Sequence, residues 1–186
     1  DVKFKDLDGD NKITLGQNTV NNPGDREVIG NTEPRFNYGA NLGFQWLGID
    51  FSIFFQGIGK MDWYPQTNTL LFWGPYARPY ATLIPKDFNT MIWSEDNKDA
   101  YYPRPRGYAA LGSNRELTVN NDRYLQNIAY CRLKNLTVGY TLPQKWTRKA
   151  GIEALRFYFT GENLAYWSGI KSDYIDPEMA QTNSQM

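Results

Sequence analysis

The stretch "RFNYGANLGFQW", residues 35–46, decides how the rest of this chain is read. Phe36, Tyr38, Ala40, Leu42, Phe44 and Trp46 take every even position; Arg35, Asn37, Gly39, Asn41, Gly43 and Gln45 take every odd one. Side chains of a β-strand point to opposite faces in turn, so unbroken alternation predicts a strand with one apolar and one polar face. A helix would scatter the same rings around its circumference.

Outward from that stretch, the pattern repeats. After Leu47-Gly48, residues 49–58 set Ile49, Phe51, Ile53 and Phe55 against Asp50, Ser52, Phe54 and Gln56, which predicts a hairpin with a tight turn. A third strand covers 129–142. Its second half puts Leu136, Val138 and Tyr140 on one face and Asn135, Thr137 and Gly139 on the other. Its first half is mixed, with Arg132 and Lys134 on one face, and Pro143 stops it. A basic turn region with room for one helical turn, residues 143–153, leads to a fourth strand over 155–166. There Leu155, Phe157, Phe159 and Gly161 oppose Arg156, Tyr158, Thr160 and Glu162.

The remainder reads as loop. Residues 1–34 are rich in Asn, Asp and Gly, and residues 167–186 are polar. Residues 59–127 hold six prolines, from Pro65 to Pro105. Ordinary connections run to roughly 2–6 residues, so this segment is a functional loop or a small subdomain, with a helical turn expected in 88–96. The division is therefore loop 1–34, hairpin 35–58, long loop 59–127, two strands and a turn 128–166, and loop 167–186. Long and short connections alternate, which puts all the long ones at one end of an up-and-down sheet.

Strands of this length exceed the usual roughly 5–6 residues and match the roughly 9–11 needed to cross a bilayer at a tilt. Loop asymmetry and aromatic strand ends are the pattern of an outer-membrane barrel, with the Asn, Gly, Ser, Thr and Gln face suited to a polar lumen. A soluble β-sandwich also alternates. Four strands cannot close a barrel, and closure is what hides strand edges in lipid, so a membrane reading makes this chain part of a larger wall.

Composition narrows the functions. Twenty Lys+Arg balance twenty Asp+Glu, which argues against a general nucleic-acid binder. Histidine is absent, removing the commonest general base and metal ligand. Cys131 is the single cysteine, so no internal disulfide forms. Asp1–Phe4 does not read as a signal peptide. No phosphate loop, Ser-His-Asp set or paired catalytic carboxylates stand out, and no enzyme activity is expected.

Two groups of residues invite a binding role. "DLDGDNKI", residues 6–13, places Asp6, Asp8 and Asp10 at positions 1, 3 and 5 of an EF-hand-like loop, with the Lys12 carbonyl at 7. The match then breaks: the sixth position is Asn11 where glycine is expected, and position 12 is Gln17 rather than glutamate. Structural calcium and a merely solvated loop are both open readings. In the long loop, Trp63, Tyr64, Trp73, Tyr76, Tyr80 and Trp93 could stack on sugar rings or dock a lid. Anchoring the loop against itself is the reading favoured here, since a loop this long must offset its ordering entropy. Arg104 and Arg106 in "YYPRPRG" could meet an anionic substrate, though a structural loop crossing is favoured.

Several stretches, taken in their joint order, resemble the SusC/RagA family of TonB-dependent outer-membrane transporters. They are "DVKFKDLDGDNKI", "GDREVIGNTEPRFNYGANLGFQW", "GIDFSIFFQGIG", "WSEDNKDAYYPRPRG", "YCRLKNLTVGYTLPQKW" and "AGIEALRFYFTGENLAYWS". The resemblance implies the C-terminal part of an all-β, antiparallel, transmembrane barrel of about 22 strands, with these four at roughly 18 to 21. The plug, the TonB-binding box and a last aromatic-ended strand would then lie outside this chain. Loops 1–34, 59–127 and 167–186 would be extracellular and the turn near 143–153 periplasmic.

By the same resemblance the whole protein would sit in the outer membrane of a Gram-negative bacterium. It would import glycans or peptides with a SusD-like surface lipoprotein, driven by TonB through the N-terminal part. In the family stretch an aspartate before "R-x-x-I-G" follows the triad; here it is Asp25, displaced by an apparent insertion around 17–24 and able to fold back as a further ligand. The alternative is a soluble calcium-dependent carbohydrate-binding β-module, resting on the aspartates and tryptophans.

Overall fold

A computed structural model describes residues 3–76, 80, 86–112, 115 and 117–182. The chain divides into two compact units: Asn31–Trp63 with Gln126–Met186, and Asp1–Gly30 with Tyr64–Leu125.

The first unit is built on four long strands: β1 (Phe36–Trp46), β2 (Ile49–Gly59), β5 (Tyr130–Thr141) and β6 (Arg156–Ser168). They pair antiparallel in the order β1-β2-β5-β6. Between them, β3 (Asp62–Trp63) pairs with β4 (Gln126–Asn127) and draws together the two ends of the long connection. The backbone of Asn31 bonds to Asp62 through both its N–H and its carbonyl. Leu47 and Gly48 both have positive φ, 47° and 87°. That is the two-residue turn whose twist matches the flanking strands.

Register carries the alternation of β1 across the sheet. Leu42 lies opposite Ile53, Phe44 opposite Phe51 and Trp46 opposite Ile49. Phe51 continues to Val138, and Val138 to Phe159. Asn41, Ser52, Thr137 and Thr160 share the other face, where the Thr137 and Thr160 hydroxyls bond at 3.1 Å.

The mixed first half of the third strand has a physical cause. Phe54 pairs with Asn135 but Phe55 pairs with Leu133, leaving Lys134 as an extra, bulged residue. One inserted residue inverts the parity of everything beyond it. Cys131 and Leu133 thereby join the apolar face, and Arg132 joins the polar one opposite Gln56.

Helices are short: α1 (Leu70–Trp73), α2 (Phe88–Met91), α3 (Gln144–Thr147) and α4 (Pro177–Thr182). α3 lies in the β5–β6 connection, and α4 gives the tail structure that its polar sequence did not suggest. Among the described residues no helix is long and apolar enough to cross a membrane.

The second unit is organised by rings. Trp73, fully buried, meets Phe72 edge-on at 4.9 Å and Tyr124 at 5.2 Å. Its indole N–H donates to the carbonyls of Pro65 and Gln66. Tyr102 stacks with Tyr76 and donates to the Phe72 carbonyl at 2.7 Å, and Tyr76 donates to the Pro103 carbonyl. A segment with so little regular structure gains its order from these rings and their satisfied hydroxyls.

Candidate functional site

The two faces of the sheet are chemically opposite. On the apolar face, Phe36, Leu42, Phe44, Trp46, Phe157, Phe159 and Trp167 are each more than half exposed. Burying a side chain of this size is worth roughly 1.5–3 kcal/mol. Leaving the exposed three-fifths of these seven in water would forgo about 6–13 kcal/mol, comparable to the entire net stability of an ordinary domain. The face needs an apolar cover. Eleven residues at about 3.3 Å each span about 36 Å, and a 45° tilt brings that near the ~25 Å apolar band of an outer-membrane barrel.

The polar face carries amides, hydroxyls and paired charges. A shallow groove of about 480 Å³ crosses all four strands and is lined by Asn41, Ser52, Phe54, Asn135, Thr137, Thr160 and Glu162. Nearer the short turns, Arg156 binds Asp50 through two bonds of 2.9 and 2.5 Å. This fork spans from β6 to β2 directly above Gly139 on β5, where a Cβ would collide with both partners. A side chain there would push the tips of both partners out of this geometry.

In the second unit, the carboxylate oxygens of Asp6, Asp8 and Asp25 lie within 4.8 Å of one another. Asp25 reaches them because the chain doubles back over 16–24. Thr19 and Asn22 bridge, and Gly16 and Gly24 pass so closely that a Cβ on either would strike the other's backbone. Asp25 then accepts from Leu7 N at 2.7 Å and Thr14 N at 2.6 Å. The Thr14 and Leu7 bonds hold its carboxyl below the usual aspartate value. Asp6 accepts from Gly9 N and Asn11 N. Asn11, at the position where an EF-hand carries glycine, adopts φ 62° and supplies the same sharp turn. Asp10 stands outside the cluster and accepts from Lys12 N at 2.7 Å.

The aromatics of the long connection divide by exposure. Trp63, Tyr64, Trp73 and Tyr76 are buried, while Tyr80 is exposed and Trp93 half-buried. Tyr64 bonds to Asn121 and to the Val119 carbonyl. Arg104 and Arg106 are exposed. One group that sequence reading passed over is the charged set linking β5 to the tail, Arg132 and Lys134 with Asp176 and Glu178. The separation of 44 residues between the partners leaves no local pattern to find.

A long-stranded antiparallel wall with one face for hydrocarbon and one for water defines a piece of a membrane barrel. Comparison with known proteins agrees. The chain is 33% identical over 97% of its length to TonB-dependent receptor P3 of Formosa agariphila. It is 26% identical over 95% of its length to TonB-dependent receptor P26 of the same organism. It spans 16% of the length of each of these curated relatives. Among solved structures it is similar to chains of the RagAB peptide importer in the closed-closed state (TM-score 0.56, 26% identity) and the open-open state (TM-score 0.53, 23% identity). Each match covers 81% of this chain and 15% of the other. No protein-family model matches. The resemblance to SusC/RagA-type, TonB-dependent receptors therefore holds over nearly the whole chain, and the sheet is part of such a barrel.

Proposed function

We propose that this chain is wall and loops of a TonB-dependent outer-membrane transporter that imports glycan or peptide nutrients together with a SusD-like lipoprotein. The band of exposed rings on long strands, backed by a polar face, is the observation that carries this reading. Likeness to TonB-dependent receptors and to a RagAB importer supports it. The apolar face contacts outer-membrane lipid, and the polar face turns toward the lumen and the plug. A soluble carbohydrate-binding module would leave that band in water, which the exposure weighs against.

The test places one charge on each face of the intact protein. Leu42→Arg puts a cation in hydrocarbon, which costs about 2–4 kcal/mol near the midplane. It should reduce the assembled, heat-modifiable barrel in outer-membrane fractions, while Thr137→Arg should assemble. Equal tolerance of both, or recovery of the intact protein in the soluble fraction, would overturn the reading.

The aspartate loop is proposed to hold a structural calcium ion through Asp6, Asp8 and Asp25. Hard oxygen donors at this spacing suit that ion, and it would relieve the mutual repulsion of three carboxylates.

A further inference from the structure

At the long-loop end of the polar face, Arg132 and Lys134 on β5 meet Asp176 and Glu178 from the segment after β6. Arg132 is ion-paired with Asp176, and Lys134 Nζ reaches both Glu178 oxygens at 2.8 and 2.9 Å. The two halves of this group differ. The Arg132 side chain is 10% exposed and lies over the rings of Tyr130 and Tyr166 at 6.0 and 5.4 Å. Asp176 and Glu178 are 39% and 32% exposed. The cations are fixed in the wall, and the anions are the half open to exchange.

The cationic half is also incompletely used. Arg132 Nε is buried and has no hydrogen-bond acceptor among the described residues; Glu178 Oε2 stands 3.4 Å away without bonding it. A guanidinium is shaped to give one carboxylate two parallel bonds, and here that fork is half engaged. A groove of about 530 Å³, bordered by Asn37, Gln56, Tyr130 and Glu178, opens onto this carboxylate.

We propose that Arg132 and Lys134 form a carboxylate-binding site on the inner wall, which Asp176 and Glu178 occupy as an internal stand-in until an acidic ligand displaces them. The exchange involves the two side chains and not the backbone, because Ile175, Pro177 and Ala180 are buried and hold the segment down. The site rests on the reading of this face as lumen, and it narrows the cargo to chains that bear carboxylates.

The experiment uses the intact protein in detergent at low salt. Hexaglutamate and hexagalacturonate are titrated calorimetrically, with hexaglutamine and maltohexaose as neutral counterparts. The Asp176→Asn/Glu178→Gln variant should bind an acidic probe roughly tenfold more tightly than the unaltered protein. Adding Arg132→Gln should cancel that gain. A gain with one acidic probe alone names the cargo as peptide or as glycan. Glu178→Gln alone, which leaves the Arg132–Asp176 pair in place, should show a smaller gain of the same sign and serves if the double variant does not assemble. No gain in either variant, an equal gain with the neutral probes, or a gain that survives Arg132→Gln overturns the proposal. Failure to recover the protein from outer membranes would instead count against the transporter reading.

Discussion

The four-stranded sheet and the segment from Tyr64 to Leu125 are both rich in aromatic rings, and they use them in opposite ways. On the sheet, Phe44, Trp46, Phe159 and Trp167 stand outward and exposed. In the long connection, Phe72, Trp73, Tyr76 and Tyr124 are turned inward with almost no exposure. Backbone accounting explains the contrast. Within the sheet the interior strands already satisfy their N–H and C=O groups through the ladder, so side chains are free to meet a second, apolar phase. The connection has little ladder, so its polar backbone must be held by a core of rings whose hydroxyls and indole N–H bond to carbonyls. Aromatic content alone says nothing about where a ring will sit.

The sharpest way to break this comparison is to remove one tryptophan from each region. Trp73→Ala deletes a fully buried ring, a change that typically costs about 3–5 kcal/mol. Limited proteolysis of the intact protein should then cut within 64–125. Trp46→Ala, on the exposed band, should leave that segment as resistant as before. Equal sensitivity in both variants would show that the two regions do not differ as described.

An intermediate effect is expected from alkaline titration. Burial, with adjoining phenolates adding to it, raises the pKa of Tyr64, Tyr76 and Tyr102 above the ordinary 10. The unfolded segment loses these protons near pH 10 while the folded one keeps them, so its stability falls as pH climbs above that value. Phenolate absorbance should rise late, together with loss of protease resistance in the same segment. Early, independent ionisation would mean that these hydroxyls are wet.

The smallest effect is local to the aspartate loop. Asp25→Ala removes the acceptor for Leu7 and Thr14 and one proposed calcium ligand. Hydrogen exchange should quicken over residues 6–25 and nowhere in the sheet. Added calcium should slow exchange there in the unaltered protein but not in the variant. Because the Asp25 pKa is depressed, its contribution is present at neutral pH and is lost as pH falls below the usual 3.8. Calcium protection equal in both proteins would remove Asp25 from the site.

Much of the sheet could be read directly from residues. Phe36 to Trp46 alternate without a fault, and the observed strand covers just those positions. The fourth strand runs two residues past its expected end, to Ser168. The aspartate loop was half legible. Asp6 and Asp8 are two apart, and the bonds from Gly9 N and Asn11 N to Asp6 fold the turn between them. Asp25 entered through a family likeness, and what delivers it is the Gly16–Gly24 crossing. Asp10 has the right spacing and still lies outside the set, its carboxylate accepting from Lys12 N. The polarity of Arg132 could not be settled at all, since nothing in "YCRLKN" marks Lys134 as the bulged residue.

By itself, the sequence determined the period-two faces, the long strands and the alternation of short and long connections, because each depends on neighbours a few residues apart. Tertiary structure alone decided the side on which Arg132 emerges and the meeting of β5 with Asp176 and Glu178. Those outcomes depend on pairing register and on contacts between residues tens of positions apart, where an energy difference of a few kcal/mol leaves no periodic trace in the chain.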